Sequence, residues 1–213
     1  MDQKEYWDQV SETKEFTTPF QETEFARYVR KDARIADIGC GYGRTLDQLR
    51  RLGYTDLVGF DFSEGMIRRG KRLFPELDLR AKPSSRIDLP DASMDAVILF
   101  AVLTCIPQDE DQEILFSEIL RILRPGGILY VNDFLLNDDE RNRRRYREFA
   151  DKYGIYGVFE LPEGVVLRHF SQERILCLLE GFLINEFEPL VFTTMNGNRS
   201  NGFYLIGTKK NSA

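Results

Sequence analysis

Three glycines at alternate positions follow a short apolar run, and together they form the part of the chain best suited to binding a ligand. The run occupies residues 35–38 and is followed by Gly39, Gly41 and Gly43. The run predicts a buried strand, and leucines at helical spacing after Arg44 predict a helix. A glycine turn lets the backbone approach a ligand closely, and the helix N-terminus offers free N–H groups. The alternative is a tight turn that binds nothing.

A carboxylate at the end of the next apolar segment strengthens the prediction of a ligand site. Residues 57–60 form a second predicted strand, which ends in Asp61. In open parallel sheets a carboxylate at this place can accept hydrogen bonds from the two hydroxyls of a ribose. Ser63 is then expected to cap the following helix.

The elements that would position these residues alternate between strands and helices, which predicts right-handed crossovers and a twisted, largely parallel sheet. A turn is expected at residues 124–127, and the chain closes on a predicted β-hairpin. The remaining predicted strands are residues 77–81, 95–100, 128–134, 183–193 and 202–208, and the helix before the fifth strand covers residues 109–123.

Four segments in this order resemble the class I S-adenosylmethionine-dependent methyltransferases. They are ADIGCGYGR (36–44), GFDFS (59–63), LPDASMDAVILFAVLTCIP (89–107) and LRPGGILYVND (123–133). The resemblance covers about residues 33–133. It implies an α/β fold, namely a Rossmann-like, seven-stranded, mostly parallel twisted sheet flanked by helices. A terminal antiparallel β-hairpin and a helical lid insertion after strand five complete the expected fold.

The resemblance also implies the cofactor, S-adenosylmethionine (SAM), with S-adenosylhomocysteine as its product. In similar proteins the carboxylate at Asp37 helps to hold the amino-acid end of SAM, and the alternative is a structural turn acceptor. Phe62 would lie on the adenine ring or, equally, in the core. The predicted cofactor-binding residues are Asp37, Gly39, Cys40, Gly41, Tyr42, Gly43, Arg44, Asp61, Phe62, Met66, Ser84, Ser85, Phe100 and Ala101.

The loop after strand three departs from the family pattern. Many relatives have an aspartate there that binds the adenine amino group, whereas this chain has Pro83, followed by Ser84 and Ser85. We therefore expect adenine to contact the Ser84 N–H and a serine hydroxyl.

The expected reaction is an in-line displacement at the sulfonium methyl group of SAM, in which the protein mainly aligns the reactants and excludes water. A base is needed only if the attacking group must lose a proton. His169 is the single histidine, and its ordinary pKa would suit a base at neutral pH. The alternative is a structural histidine. Weaker candidates for contact with the methyl acceptor are Asp133, Tyr146, Tyr153 and Tyr156.

Two segments could cover the predicted site. Residues 137–170 interrupt the strand–helix rhythm and contain five arginines within residues 141–147. They predict either a lid over a small, anionic acceptor or a solvated helix whose arginines pair with neighbouring acids. Residues 1–30 predict an N-terminal helical segment. Within it a helix is expected to start with Thr18 as N-cap and Pro19 at the first position, and Gln21 would close a capping box. The aromatic residues before Thr18 either pack on the domain or form a flap over the cofactor.

The length of 213 residues suits one α/β domain, and the resemblance implies that residues 1–213 form a single class I methyltransferase domain. The net charge of −6 argues against a general nucleic-acid binder, and the three scattered cysteines argue against a disulfide framework or a zinc site. Without a long apolar run or a signal peptide, we expect a cytoplasmic monomer or homodimer that contacts no membrane. The leading hypothesis is methyl transfer to a small molecule. The alternatives are an RNA or protein methyltransferase and a non-catalytic SAM-binding regulatory module.

Overall fold

The computed structural model describes residues 3–82, 86–194 and 197–211. Among these residues, seven strands form one sheet in the order β3-β2-β1-β4-β5-β9-β8, and β6 and β7 form a separate two-stranded hairpin. In chain order the strands are β1 (Arg34–Ile38), β2 (Asp56–Asp61), β3 (Asp78–Ala81), β4 (Met94–Phe100), β5 (Leu123–Phe134), β6 (Val158–Glu160), β7 (Val166–Arg168), β8 (Phe182–Thr193) and β9 (Arg199–Lys209).

The first five strands are parallel, and β9 runs antiparallel to both β5 and β8. This topology confirms the predicted Rossmann-like sheet and its terminal hairpin. The strand order reverses between β1 and β4, so a crevice opens beyond their carboxyl ends. β5 begins earlier than predicted, because Leu123 already pairs with Met94 and the register shifts before Ala96. The expected turn at residues 124–127 is therefore an irregular start of the strand.

The helices lie on both faces of the sheet, where they cover strands that are apolar on both sides. None of the helices in the described residues has the length and apolar composition needed to span a membrane. Ser63 caps α4 as predicted, because its hydroxyl accepts a hydrogen bond from the Met66 N–H at 3.1 Å. The helices are α1 (Gln3–Val10), α2 (Glu22–Tyr28), α3 (Arg44–Arg51), α4 (Glu64–Leu73), α5 (Asp109–Ile122), α6 (Glu140–Tyr153) and α7 (Gln172–Leu178).

The predicted start of the second helix is wrong, since α2 begins at Glu22 and Thr18 is not its N-cap. Tertiary contacts hold the preceding residues in an extended path. The Gln21 side-chain oxygen accepts hydrogen bonds from the Tyr130 hydroxyl at 2.6 Å and from the Asn132 amide at 2.9 Å. A glutamine used in this way cannot also close a capping box.

The segment after β5 contains α6 and the β6–β7 hairpin, so it is not purely helical. Three of its arginines pair with acids in the way expected for a solvated helix. The ion pairs are Arg141–Asp139 at 3.8 Å, Arg143–Asp138 at 3.7 Å and Arg147–Glu140 at 3.2 Å. Closure of the segment as a lid stays a prediction.

Candidate functional site

A cavity of about 400 Å³ lies beyond the carboxyl ends of β1, β2 and β4. One end is formed by the glycine turn and the end of β2, and the other by α6 and the β6–β7 hairpin. Ten of the predicted cofactor-binding residues line it: Asp37, Gly39, Cys40, Gly41, Arg44, Asp61, Phe62, Met66, Phe100 and Ala101.

The other four predicted cofactor residues are placed differently. Tyr42 is buried outside the cavity lining, where its ring stacks on Phe16 with the ring centroids 5.2 Å apart. Gly43 packs against Leu79 and serves the turn itself. Ser84 and Ser85 lie outside the described residues.

The glycine turn has a conformation that other residues cannot adopt without strain. Gly39 has a φ of +78°, and a Cβ atom there would lie 2.5 Å from a methyl carbon of Val102. Gly41 has a φ of +56°, and its Cβ would lie 2.7 Å from the Phe16 ring. The backbone amides of Gly39 and Cys40 both donate to the Phe60 carbonyl, at 2.7 and 3.0 Å. The turn is therefore folded tightly over the end of β2.

Asp61 stands beneath this turn and holds it in place. One carboxylate oxygen accepts the Gly41 N–H at 2.8 Å, and the other accepts the Ser63 N–H at 2.8 Å. Burial raises the pKa of Asp61 to about 6, and the two backbone donors oppose that rise. Each oxygen keeps a free lone pair, so the carboxylate can still accept hydrogen bonds from two ligand hydroxyls.

Asp37 is a buried carboxylate with spare capacity to accept hydrogen bonds. Its exposed fraction is 1%, and its Oδ1 atom has no hydrogen-bond partner among the described residues. Burial, with a smaller contribution from the charge of Asp61, raises its pKa to about 7. Arg44 opposes this rise only from a distance, because its guanidinium group donates to the Thr18 carbonyl at 2.8 Å. The site therefore fits a ligand that brings a cationic donor to Asp37.

The backbone at the end of β4 is strained. Ala101 has a φ of +56°, which non-glycine residues rarely adopt, and its N–H donates to the Asn132 carbonyl at 2.7 Å. Ala101 lines the cavity, so this strained conformation lies where the crevice opens at the end of β4.

The N-terminal segment forms part of the cavity wall, so it both packs on the domain and covers the site. Tyr6, Trp7 and Phe16 line the cavity. Asp8 anchors α1 by accepting the Gly65 N–H at 2.9 Å, at the first turn of α4. The packing alternative is therefore observed, whereas a role as a flap over the cofactor stays a prediction.

His169 lines the cavity, but its environment differs from that of an ordinary base. Its ring stacks on Phe134 with centroids 5.4 Å apart, and Nδ1 lies 2.6 Å from the Tyr146 hydroxyl and 3.2 Å from the Asn137 amide nitrogen. Burial lowers the pKa of His169 well below 6.5, and the charges of Arg145 and Arg141 add to this effect. The expectation of a pKa suited to neutral pH is therefore wrong, whereas a catalytic role stays a prediction.

The hydrogen-bond network assigns the tautomer of His169. The Asn137 side-chain oxygen accepts the Asn201 N–H at 2.7 Å, so its NH₂ group must face Nδ1. The Tyr146 hydroxyl accepts the Asn137 N–H at 3.3 Å, which leaves its own proton for Nδ1. Nδ1 therefore accepts, and the proton of the neutral ring resides on Nε2.

None of the four predicted acceptor contacts lines the cavity. Asp133 is fully buried and accepts the Thr104 N–H at 3.2 Å, which fixes the turn after β4. Tyr153 binds Glu160, and Tyr156 is 52% exposed. Tyr146 reaches the cavity only through its bond to His169.

The side chains that do line this end were not named individually from the sequence, although two of them belong to the predicted arginine cluster. Phe134, Phe159 and Arg145 lie there, together with Arg141. Arg141 and Arg145 are four residues apart, and this spacing within the arginine cluster indicates one common face of α6. The described residues contain no group of three or more His, Cys, Asp or Glu side chains arranged to hold a metal ion.

Comparisons with known proteins agree with this geometry. Residues 36–131 match the family model described as a methyltransferase domain. A demethylmenaquinone methyltransferase of Beutenbergia cavernae is 38% identical over 106 residues, which cover 49% of this chain and 42% of that protein. A trans-aconitate 2-methyltransferase of Azoarcus sp. is 33% identical over 117 residues, covering 54% of this chain and 44% of that protein. The chain thus spans less than half the length of these curated relatives.

A solved structure extends the similarity over nearly the whole chain. A SAM-dependent methyltransferase from Methanosarcina mazei superposes with a TM-score of 0.85 at 25% sequence identity. The superposition covers 92% of this chain and 100% of that one. The structural similarity therefore extends beyond residues 36–131, which the family model matches.

Proposed function

Because the chain belongs to the class I S-adenosylmethionine-dependent methyltransferases, we propose that it transfers the methyl group of SAM to a small-molecule acceptor. The observation that carries the proposal is the cavity itself, which runs from the glycine turn and Asp61 to His169 beneath the N-terminal segment. A largely apolar cavity of this size suits a small molecule. Two relatives are named for methyl transfer to demethylmenaquinone and to trans-aconitate, and both names support a small-molecule acceptor.

The residues at the glycine-turn end fit the parts of SAM. Asp61 would accept the two ribose hydroxyls, and Asp37 would pair with the ammonium group of the methionine part, for which its unused oxygen is available. The glycine turn would let the backbone lie against the ligand, and Phe62 would contact adenine. Bound SAM would supply a methyl group that is already activated on a sulfonium. No residue of the chain then needs to activate it.

The chain's own contribution would be alignment and the exclusion of water. Trp7 and Phe16 cover the cavity, while the backbone at Ala101 shapes its floor. Holding two reactants in line can contribute about 7–11 kcal/mol. His169, with its proton on Nε2, would donate a hydrogen bond that orients the acceptor. It could act as a base only after the proton moved to Nδ1, against the Tyr146 hydroxyl.

Methyl-labelled SAM tests the proposal. The purified protein is incubated separately with a small-molecule extract, total RNA and a protein extract, and Asp61→Ala provides the background. We expect label in small molecules. Label found only in RNA or only in protein would identify the chain as an RNA or protein methyltransferase instead. No label in any fraction, despite SAM binding, would make the protein a regulatory SAM-binding module.

We also propose that the chain is a single domain, that it acts as a monomer or homodimer and that it binds no nucleic acid. Sedimentation of the protein with and without RNA would check both its oligomeric state and its binding to RNA.

A further inference from the structure

Arg145 is a partly buried cation that forms no ion pair with any of the described residues. It lines the cavity, and no carboxylate of the described residues lies within ion-pair distance of it. Its guanidinium carbon lies 3.5 Å from the centroid of the Phe159 ring, and its Nε atom is buried without a hydrogen-bond partner. Burial lowers the pKa of Arg145. Removing a cation from water is costly unless an anion pairs with it. An anionic group bound beside Arg145 would reduce this cost.

The acids near α6 are already used by other groups. Asp139 accepts the Asn142 N–H at 3.2 Å, binds the Asn142 amide and faces Arg141 at 3.8 Å. The side-chain hydrogen bond of Arg145 is with Tyr146, whose hydroxyl is neutral because burial raises its pKa. Asp139 also acts on Arg145 from a longer distance, so the described residues compensate the positive charge at this end of the cavity only in part.

His169 adds a second donor to the same end. With Nδ1 engaged by Tyr146, the Nε2–H is the polar group of the ring that a ligand can meet. Phe134 stacks on this ring, and Phe159 packs edge-on to it with centroids 5.0 Å apart. The end of the cavity thus presents cationic and neutral donors within aromatic walls.

We propose that the methyl acceptor carries a carboxylate or phosphate group on an apolar skeleton, and that Arg145 and the Nε2–H of His169 bind this group. The planar fork of arginine pairs with two oxygens of either group, and exclusion of water strengthens the pair. The aromatic walls suit the apolar skeleton. This inference rests on the proposed methyl transfer and deepens it by giving the acceptor class.

The first test separates acceptors by charge before the reaction. A small-molecule extract is divided on anion-exchange resin, and each fraction is incubated with methyl-labelled SAM. We expect label to enter the retained, anionic fraction. Phosphatase treatment of that fraction should abolish labelling if the group is a phosphate and leave it unchanged if it is a carboxylate. Labelling confined to the unretained fraction would overturn the proposal.

The second test uses matched variants of neighbouring arginines. Arg145→Met removes the partly buried cation, and Arg144→Met removes an exposed one from the same helix. Arg145→Met should lower labelling at limiting acceptor about 10- to 100-fold, as expected for a lost charged hydrogen bond, whereas Arg144→Met should not. SAM affinity, measured by calorimetry, should be unchanged in both variants. Equal labelling by Arg145→Met and wild type would refute the proposal.

A binding measurement tests the proposed anion site at Arg145 even if no fraction is labelled. Trp7 is the single tryptophan and lines the cavity, so its fluorescence reports on this site. Benzoate or phenyl phosphate, but not benzamide, should change the fluorescence of the protein loaded with S-adenosylhomocysteine. Arg145→Met should abolish the response, and Arg144→Met should retain it. Equal responses to benzoate and benzamide, or no response to either anion, would reject the anion site. Failure to bind SAM would instead reject the proposed function.

Discussion

Replacing Asp37 by asparagine should stabilise the ligand-free protein while weakening its affinity for SAM. A rise of the Asp37 pKa from 3.8 to about 7 corresponds to about 4 kcal/mol of destabilisation at a pH above both values. Asparagine removes the charge but leaves an amide with incomplete partners, which recovers only part of that energy. We therefore expect the variant to be more stable by about 1–3 kcal/mol at pH 8.

The pH dependence gives the sign of the effect. A raised carboxyl pKa means that the folded state binds more protons than the unfolded state between pH 4 and 7. The carboxyl group of Asp37 therefore makes its full contribution to the stability of the wild type below its pKa in the unfolded state. This contribution is lost as the pH rises through the pKa of Asp37 in the folded state. Urea denaturation of both proteins at pH 5 and pH 8 measures their free energies of unfolding. The excess of Asp37→Asn over the wild type should be larger at pH 8 than at pH 5.

The same variant decides between the two roles considered for Asp37. If the carboxylate holds the ammonium group of SAM, its replacement should weaken SAM binding about 10- to 100-fold, as calorimetry would show. If Asp37 is instead a structural turn acceptor, Asp37→Asn should lower stability at pH 8 and change affinity little. That second pattern would refute both the assignment of the residue and the reasoning from its unused oxygen.

Three further predictions follow from the geometry. SAM affinity of the wild type should fall as pH drops below about 7, where Asp37 becomes protonated. In Asp37→Asn the fall should begin only near pH 6, where Asp61 becomes protonated; equal pH profiles of the two proteins in calorimetry would contradict this. Asp61→Ala should remain folded by circular dichroism yet bind SAM about 10- to 100-fold more weakly, and SAM rather than NAD should raise the wild-type melting temperature. Long-range ¹H–¹⁵N spectra of His169 should show a proton on Nε2 and none on Nδ1 from pH 5.5 to 8, and titration near pH 6.5 would reject the proposed tautomer.

The sequence predicted the cofactor end of the cavity well because that end is built locally. The turn from β1 into α3 depends on glycines that adopt positive φ angles, and Asp61 sits at a strand end whose place in the sheet follows from the alternation of elements. Both features are determined by a few consecutive residues. The same local logic predicted Ser63 as a helix cap.

The acceptor end could not be predicted in the same way, since it depends on contacts between distant parts of the chain. The pKa of His169 is lowered by burial among α6, β6 and the end of β5, which no local pattern reveals. Asp133 resembled a ligand carboxylate, but a tertiary contact uses it to hold the turn at Thr104. The start of α2 was mispredicted because Gln21 bonds to β5 instead of to its own helix.

The two ends of the cavity share an electrostatic property that links stability to function. Among the described residues, the carboxylate of Asp37 at one end keeps an oxygen without a hydrogen-bond partner, and Arg145 at the other end forms no ion pair. Each is costly in the free protein, because each removes charge from water without full compensation. A cationic group at Asp37 and an anionic one at Arg145 would relieve both costs. Binding both ligands should therefore stabilise the protein by more than their contacts with the glycine turn and the aromatic walls alone would supply.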